Sequence, residues 1–301
     1  MRTCVILNPA AGSGNSVARV RSSVAAISEA ELRESDGPTA IEPLVRTAVA
    51  DGFRRIVAAG GDGTVSQVAS ALFAAGGGRS GLECGILPIG TGNDLAQALG
   101  IPLQLDRAIE IVLGGAARRI DAVVCDSSGR SGAGAGPIHA WNAVVGGFGG
   151  SVSAHLTPAR KRRWGRLAYL RGAISELREL TPHAVRIEID GTTRELDLLM
   201  LVVANGSHTG GGIPLAPEAQ VDDGALDVVG IEARGIPALL GLVPRVIFGD
   251  HLARSGIFQA RGRTLRVEAD SGFHYNRDGE QWGSGAAEFE LRPEALAFVR
   301  P

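Results

Sequence analysis

Two aspartates, Asp62 in AAGGDGTVSQ and Asp94 in LPIGTGNDLA, each stand at a glycine-rich turn between an apolar run and a helical pattern. A third loop of the same kind, NPAAGSG at 8–14, follows the first apolar run of the chain. Such turns present free backbone N–H groups, and the helix behind each adds the positive end of its dipole, so each suits an anion. A carboxylate beside an anion is unfavourable unless a cation lies between them. Magnesium travelling with a nucleotide supplies that cation. None of the loops is a Walker A loop, because no Lys-Ser/Thr follows the glycines, and none fits GxGxxG. The competing reading is three plain tight turns; two aspartates among three loops at one sheet edge argue against it.

The elements that must position these loops are legible as a pattern. Strand-like runs at 2–7, 54–59, 83–88 and 118–125 alternate with helical stretches near 15–30, 41–51, 65–76, 92–99 and 104–114. That alternation predicts a parallel sheet covered on both faces, with ligands beyond the carboxyl ends of its strands. Three glycines in four positions at 60–63 predict a turn that uses glycine's backbone freedom, with a helix beginning at Val65. Past residue 126 the pattern changes. SSGRSGAGAG at 127–136 reads as a loop or a domain seam, and alternating runs follow at 184–189, 193–203, 225–231, 263–269 and 287–292. Asp190-Gly191 between two of them is a hairpin signal. Helical pieces are expected near 164–180 and 236–249. The expectation is an α/β domain with a parallel sheet over 1–125 and a mostly antiparallel β domain over 126–301, the last strand being free to return to the first domain.

Bulk properties narrow the function classes. With 45% hydrophobic residues, the 301-residue chain has enough apolar material for real cores. A net charge of −2 gives no general basic field for nucleic acid. Cys4, Cys84 and Cys125 are scattered without zinc spacing, which fits a reducing, cytoplasmic setting. The apolar stretch 236–248 holds two prolines and Arg245 and is too short to span a bilayer, so any membrane role is expected to be peripheral. One dense basic run, RKRRWGR at 160–166, stands beside Trp164 and Tyr169. Arg160, Lys161, Arg162 and Arg163 suit an anionic membrane surface, with a solvated helix face as the alternative.

The GGDGT at 60–64 resembles the nucleotide loop of diacylglycerol, sphingosine and NAD kinases and, more distantly, phosphofructokinases. NPAAGSG, LPIGTGNDLAQALGIP (87–102), WNAVVGGFGGSV (141–152), RRWGRLAYL (162–170), VANGSHTGGGIPLAPEAQVDDGALDV (203–228) and NRDGE (276–280) occur in family order. Together they resemble the soluble bacterial diacylglycerol/sphingosine-type lipid kinases over nearly the whole chain. Two departures stand out: Gln67 replaces the family's usual glutamate, and the adenine-side threonine has no clear match, Ser35 being nearest by spacing and Thr39 next.

The resemblance implies an NAD kinase-like first domain, a β-sandwich second domain, and ATP and Mg2+ as cofactors. It implies phosphate contacts from Asn8, Pro9, Gly12, Ser13, Gly14, Gly60, Gly61, Asp62, Gly63, Thr64, Thr91 and Asn93. Asp62 and Asp94 would hold Mg2+, directly or through water. Asp278 or Glu280 would accept the proton of the lipid hydroxyl. Gln220 and Ala225 carbonyls with the Asp223 carboxylate would hold a structural Mg2+ in the second domain. Two alternatives to a lipid kinase remain: a kinase for a soluble acceptor such as NAD, and a non-catalytic nucleotide- or lipid-binding regulator. A homodimer is compatible with the sequence and not indicated by it.

Overall fold

The computed structural model describes residues 2–78, 81–127, 138–148 and 181–301. The expected helix at 164–180, the basic residues Arg160 to Arg163 and residues 128–136 of the Gly-rich stretch lie outside them. The chain divides into two compact units, Met1–Ala122 with Pro293–Pro301, and Val123–Arg292.

In the first unit β1 (Thr3–Leu7), β2 (Ala30–Glu34), β3 (Arg55–Gly60) and β4 (Glu83–Pro88) form a sheet ordered β2-β1-β3-β4. All three pairings are parallel. Crossover helices are α1 (Gly14–Ala25), α2 (Pro38–Ala50) and α3 (Asp62–Leu72), followed by α4 (Asp94–Ala98) and α5 (Leu105–Gly114). β1 and β3 are buried along their whole length, as strands covered on both faces must be. The sheet edge β2 was not expected: its sequence AELRE is polar and half exposed, and the predicted 15–30 helix in fact stops at Ala25.

Strand β5 (Ala116–Ser127) leads into the second unit, where β6 (Ile138–Ala140), β7 (Ala143–Gly147), β8 (His183–Ile189), β9 (Thr192–Ala204) and β10 (Leu226–Glu232) follow. Then come α6 (Ile236–Phe248), β11 (Ile257–Gly262), β12 (Thr264–Glu268), β13 (His274–Arg277), β14 (Glu280–Ser284) and β15 (Ala287–Arg300). Its ladder runs β14-β13-β7-β9-β8-β12-β15 with antiparallel neighbours, and β10 joins β9 to β11. The β8–β9 hairpin turns on Asp190 (φ 45°) and Gly191 (φ 82°), the left-handed pair that a two-residue hairpin demands. Side chains alternate along β8, and Val185, Ile187 and Ile189 face a core with Leu198, Leu201, Val203, Phe273, Tyr275 and Phe289. The end of β15 belongs to the first unit, where Ala297 and Phe298 pair in parallel with Glu83 and Cys84 of β4. This is the expected fold class: a parallel α/β sheet and an antiparallel β unit. Among the described residues no helix is long and apolar enough to cross a membrane.

Candidate functional site

At the carboxyl edge of the parallel sheet Asn8 follows β1, Ser35 follows β2, Gly61 follows β3 and the 89–93 loop follows β4. These are the positions where open parallel sheets bind ligands. Asn8 Nδ2 donates to Thr64 Oγ1 at 3.0 Å, and its Oδ1 accepts the Ala10 N–H at 3.1 Å, so the first loop is tied to the third strand's turn. Pro9, Ser13 and Gly14 are exposed. Ser13 caps α1, accepting the Ser16 N–H at 3.2 Å, while Gly12 lies where a Cβ would meet Ile89 at 3.0 Å.

The glycines of GGDGT do a different job from the expected one. None of Gly60, Gly61 and Gly63 has a positive φ, so backbone freedom is not what the turn uses. Close approach is. A Cβ on Gly60 would lie 2.4 Å from the Thr64 side chain, and one on Gly90 would lie 2.3 Å from the Gly61 Cα. The carbonyl of Gly60 accepts the N–H groups of Ile89 (3.1 Å) and Gly90 (3.2 Å), which locks the two loops together backbone to backbone. Nor does the helix wait for Val65. It begins at Asp62 with Gly61 as N-cap, and its first intrahelical bond runs from the Val65 N–H to the Gly61 carbonyl. Asp62, Gly63 and Thr64 therefore form the first helical turn, whose N–H groups precede the i→i−4 ladder.

Asp62 and Asp94 come together. Asp62 Oδ1 accepts the Asp94 N–H at 2.6 Å at the start of α4. Burial first, then the Asp94 carboxylate, push the Asp62 carboxyl up to about 7; the backbone N–H groups of Asp94, Leu95 and Asn93 pull the other way. Asn93 is left-handed (φ 54°) and its amide is spent inside the loop, accepting from the Gly90 N–H at 3.1 Å and donating to the Gly90 carbonyl at 2.9 Å. Thr91 is exposed at the loop tip. Ser35 is 3% exposed, and its Oγ has no hydrogen-bond partner. Gly90 is the residue that sequence reasoning overlooked; its signal lay in the quoted PIGTG loop.

In the second unit Arg277-Asp278-Gly279-Glu280 forms the β13–β14 turn, with Asp278 at φ 46° and Gly279 at φ 92°. The Asp278 carboxylate is buried and accepts the N–H groups of Trp141 (2.9 Å), Asn142 (3.0 Å) and Ala143 (3.2 Å). Its own N–H donates to the Ala143 carbonyl at 3.0 Å. Three of about four acceptor positions on the carboxylate are thus engaged by backbone. Glu280 differs: its side chain is 47% exposed and its Oε2 lies 3.6 Å from Arg277 Nη2. Asn142 and Asn205, also overlooked, brace the same segment: Asn205 Nδ2 donates to the Trp141 carbonyl at 3.0 Å and Asn142 Nδ2 to the His208 carbonyl at 2.7 Å.

The donor set for a structural Mg2+ does not fit as arranged. Asp223 Oδ1 accepts the Ala225 N–H at 3.2 Å, and its Oδ2 is bonded by the Arg261 guanidinium, so both oxygens are engaged. Gln220 is exposed beside it. Among the described residues no group of three or more His, Cys, Asp or Glu is arranged to hold a metal ion.

Comparison with known proteins follows this division of the chain. Residues 2–125 match the Diacylglycerol kinase catalytic domain, and residues 142–300 match the YegS C-terminal NAD kinase beta sandwich-like domain. The chain is 36% identical over 262 residues to a Pseudomonas putida protein named "Probable lipid kinase YegS-like", covering 86% of this chain and 81% of that one. A Pseudomonas aeruginosa protein of the same name is 35% identical over 261 residues, with 86% and 80% covered. Among solved structures, a diacylglycerol kinase from Bacillus anthracis superimposes with a TM-score of 0.75 at 20% identity, over 100% of this chain and 97% of that one. Yeast NADH kinase complexed with NADH shares the fold more loosely, with a TM-score of 0.55 at 12% identity over 100% and 84%. With a diacylglycerol kinase catalytic domain followed by a YegS-type β domain, the chain belongs to the YegS-like lipid kinase family.

Proposed function

We propose that this protein is an ATP-dependent lipid kinase that moves the γ-phosphoryl group to the hydroxyl of diacylglycerol or a related lipid alcohol. The observation that carries the reading is the Asp62–Asp94 pair, two carboxylates held together among helix starts at the carboxyl edge of a parallel sheet. Such a pair suits a hard cation, and Asp62 and Asp94 would hold Mg2+ directly or through its waters. Mg2+ when bound neutralises charge on the transferring phosphates. The chain's own residues supply position. The N–H groups of Asp62, Gly63 and Thr64 take phosphate oxygens at the start of α3. Asn8 and Thr91 add side-chain contacts, and the buried Ser35 hydroxyl is the candidate on the adenine side.

On the acceptor side the bonding of the two acids favours Glu280 as the group that takes the hydroxyl proton, since Asp278 is committed to three backbone donors. A base must have a lone pair within hydrogen-bond reach of its substrate. Asp278 then works as a positioning residue, fixing the turn that carries Glu280. A cytoplasmic enzyme reaching lipid at an anionic bilayer through Arg160, Lys161, Arg162 and Arg163 completes the proposal, on the strength of the sequence alone.

The test is an ATP-consumption screen with diacylglycerol, ceramide, sphingosine, an isoprenoid alcohol and NAD as acceptors, in the presence of Mg2+. Phosphorylation of a lipid alcohol is expected, with one ADP per product. Turnover with NAD alone, or with no acceptor of the set, overturns the reading.

A further inference from the structure

In the second unit one turn gathers negative charge ahead of β10. Asp223 precedes the strand, Asp227 is its second residue, and Glu218 lies close enough to act on Asp227. Two arginines from the β11–β12 region reach into this turn. Arg261 stands directly across the ladder from Asp227. Its Nη2 bonds Asp223 Oδ2, and its Nε lies 3.3 Å from Asp227 Oδ1. Arg263 Nε donates to the carbonyl of Gly224 at 3.2 Å, where the chain turns left-handed at φ 75°.

A divalent cation that closes a loop draws together carboxylate and carbonyl oxygens and cancels their charge. Here both kinds of oxygen are already drawn together. One guanidinium bridges the two carboxylates, and a second holds the turn's carbonyl. Arginine is suited to this, since its planar fork of donors spans two acceptors and never loses its charge. Asp227 is 8% exposed, so a counter-charge beside it is a folding requirement and not decoration. We infer that the 219–228 turn is closed by Arg261 and Arg263 in place of a structural divalent cation. The second unit is then metal-independent, and any Mg2+ requirement of the protein belongs to the nucleotide.

The experiment is thermal unfolding of the full chain without nucleotide, in EDTA and in 10 mM MgCl2, for the wild type, Asp223→Asn and Arg261→Gln. Mg2+ bound elsewhere shifts the wild type and Asp223→Asn alike, so equal Mg2+ responses in these two are expected. Arg261→Gln is expected to melt lower in EDTA by about 2–4 °C or more, the shift typical of losing one substantial interaction in a domain of this size. A wild-type stabilisation by Mg2+ that Asp223→Asn abolishes overturns the inference, because the cation then occupies the turn. So does an Arg261→Gln protein that melts with the wild type in EDTA. If Arg261→Gln does not fold, the comparison of wild type with Asp223→Asn still decides the question.

Discussion

The carboxylate of Asp62 accepts the backbone N–H of Asp94 at 2.6 Å, which joins the first turn of α3 to the first turn of α4 and sets two acids side by side. That arrangement costs the nucleotide-free protein stability above the ordinary carboxylate range. The folded-state pKa of Asp62 is raised to about 7, so between its ordinary value and 7 the folded chain binds a proton that the unfolded chain releases. For a raised acid, stability is greatest at low pH and falls as pH rises through that window. Asp62→Asn keeps the oxygen that accepts the Asp94 N–H and removes the charge. The nucleotide-free variant should therefore exceed the wild type in stability at pH 8 by at least about 1 kcal/mol, with the gap closing toward pH 4. Phosphoryl transfer should be nearly abolished. Urea denaturation at the two pH values checks the first claim; an equal or reversed gap at pH 8 refutes it.

The two acids of the NRDGE turn should separate cleanly on substitution. In Asp278→Asn one carboxylate oxygen becomes an NH2 group facing backbone N–H donors at 2.9–3.2 Å. Leaving such donors unpaired in a buried site should cost about 1–3 kcal/mol of stability. The Glu280 side chain is 47% exposed beside Arg277, where water screens its charge, so Glu280→Gln should shift the melting temperature far less than Asp278→Asn while kcat falls by about 10²–10⁴. A stable Asp278→Asn enzyme with depressed kcat, beside a fully active Glu280→Gln, would exchange the two roles.

Much of this site was legible before any coordinates because its signals are local. A strand that runs into glycines and then a helical pattern places Asp62 and Asp94 at one sheet edge, and Asp190-Gly191 announces its hairpin in two letters. What sequence could not show is which physical property each residue lends. Gly60 and Gly61 read as flexible, whereas in the fold they are merely small: Gly60 must clear the Thr64 side chain, and what Gly61 must avoid lies about 30 residues away at Gly90. Asp278 and Glu280 looked equivalent until the 141–143 backbone was seen to hold one of them. The strand Ala30–Glu34 escaped notice because an exposed sheet edge needs no hydrophobic alternation. Arg261 escaped too: a pairing across a ladder depends on register, which composition does not encode.

Ser35 gives a prediction with opposite signs for stability and binding. Its buried hydroxyl lacks a partner, so Ser35→Ala removes a polar group that the fold does not satisfy. The nucleotide-free variant should be as stable as the wild type or slightly more so. If Ser35 faces the nucleotide, KM for ATP rises several-fold while kcat holds. An unchanged KM would leave the hydroxyl without a role in binding.

Gly90→Ala tests the claim that the two phosphate-side loops depend on backbone contact. The added methyl would sit 2.3 Å from the Gly61 Cα and 3.0 Å from Asn93 Oδ1, and neither a main-chain atom nor a braced amide can step aside cheaply. Overpacking of this kind typically costs about 1–3 kcal/mol. ATP affinity should fall with stability, since the start of α3 moves with Gly61. Gly241→Ala in α6 is the control: nothing lies within 4 Å of its new Cβ, so it should be neutral or stabilising. Equal behaviour of the two variants would mean that the loops are not in tight contact.

His251 is one buried imidazole that should make the second unit less stable in acid. The ring is fully buried, with Nε2 3.0 Å from the Leu215 carbonyl. Burial lowers its pKa below the ordinary imidazole value, only partly offset by the hydrogen bond with the Leu215 carbonyl, the nearby Arg245 carbonyl and the Asp250 carboxylate. The unfolded chain takes up a proton as pH falls below about 6.5, and the folded chain resists it. Stability is therefore whole above that value and drains away as pH drops toward the lowered folded pKa, at up to about 1.4 kcal/mol per pH unit. His139 is lowered as well, mainly by burial, and drains stability in the same direction. His251→Gln should be less stable than the wild type at pH 7.5 for loss of packing, yet lose less on going to pH 5.5. The measurement is the difference between the two denaturation slopes over that range, and parallel pH profiles would show that His251 charges without unfolding the unit.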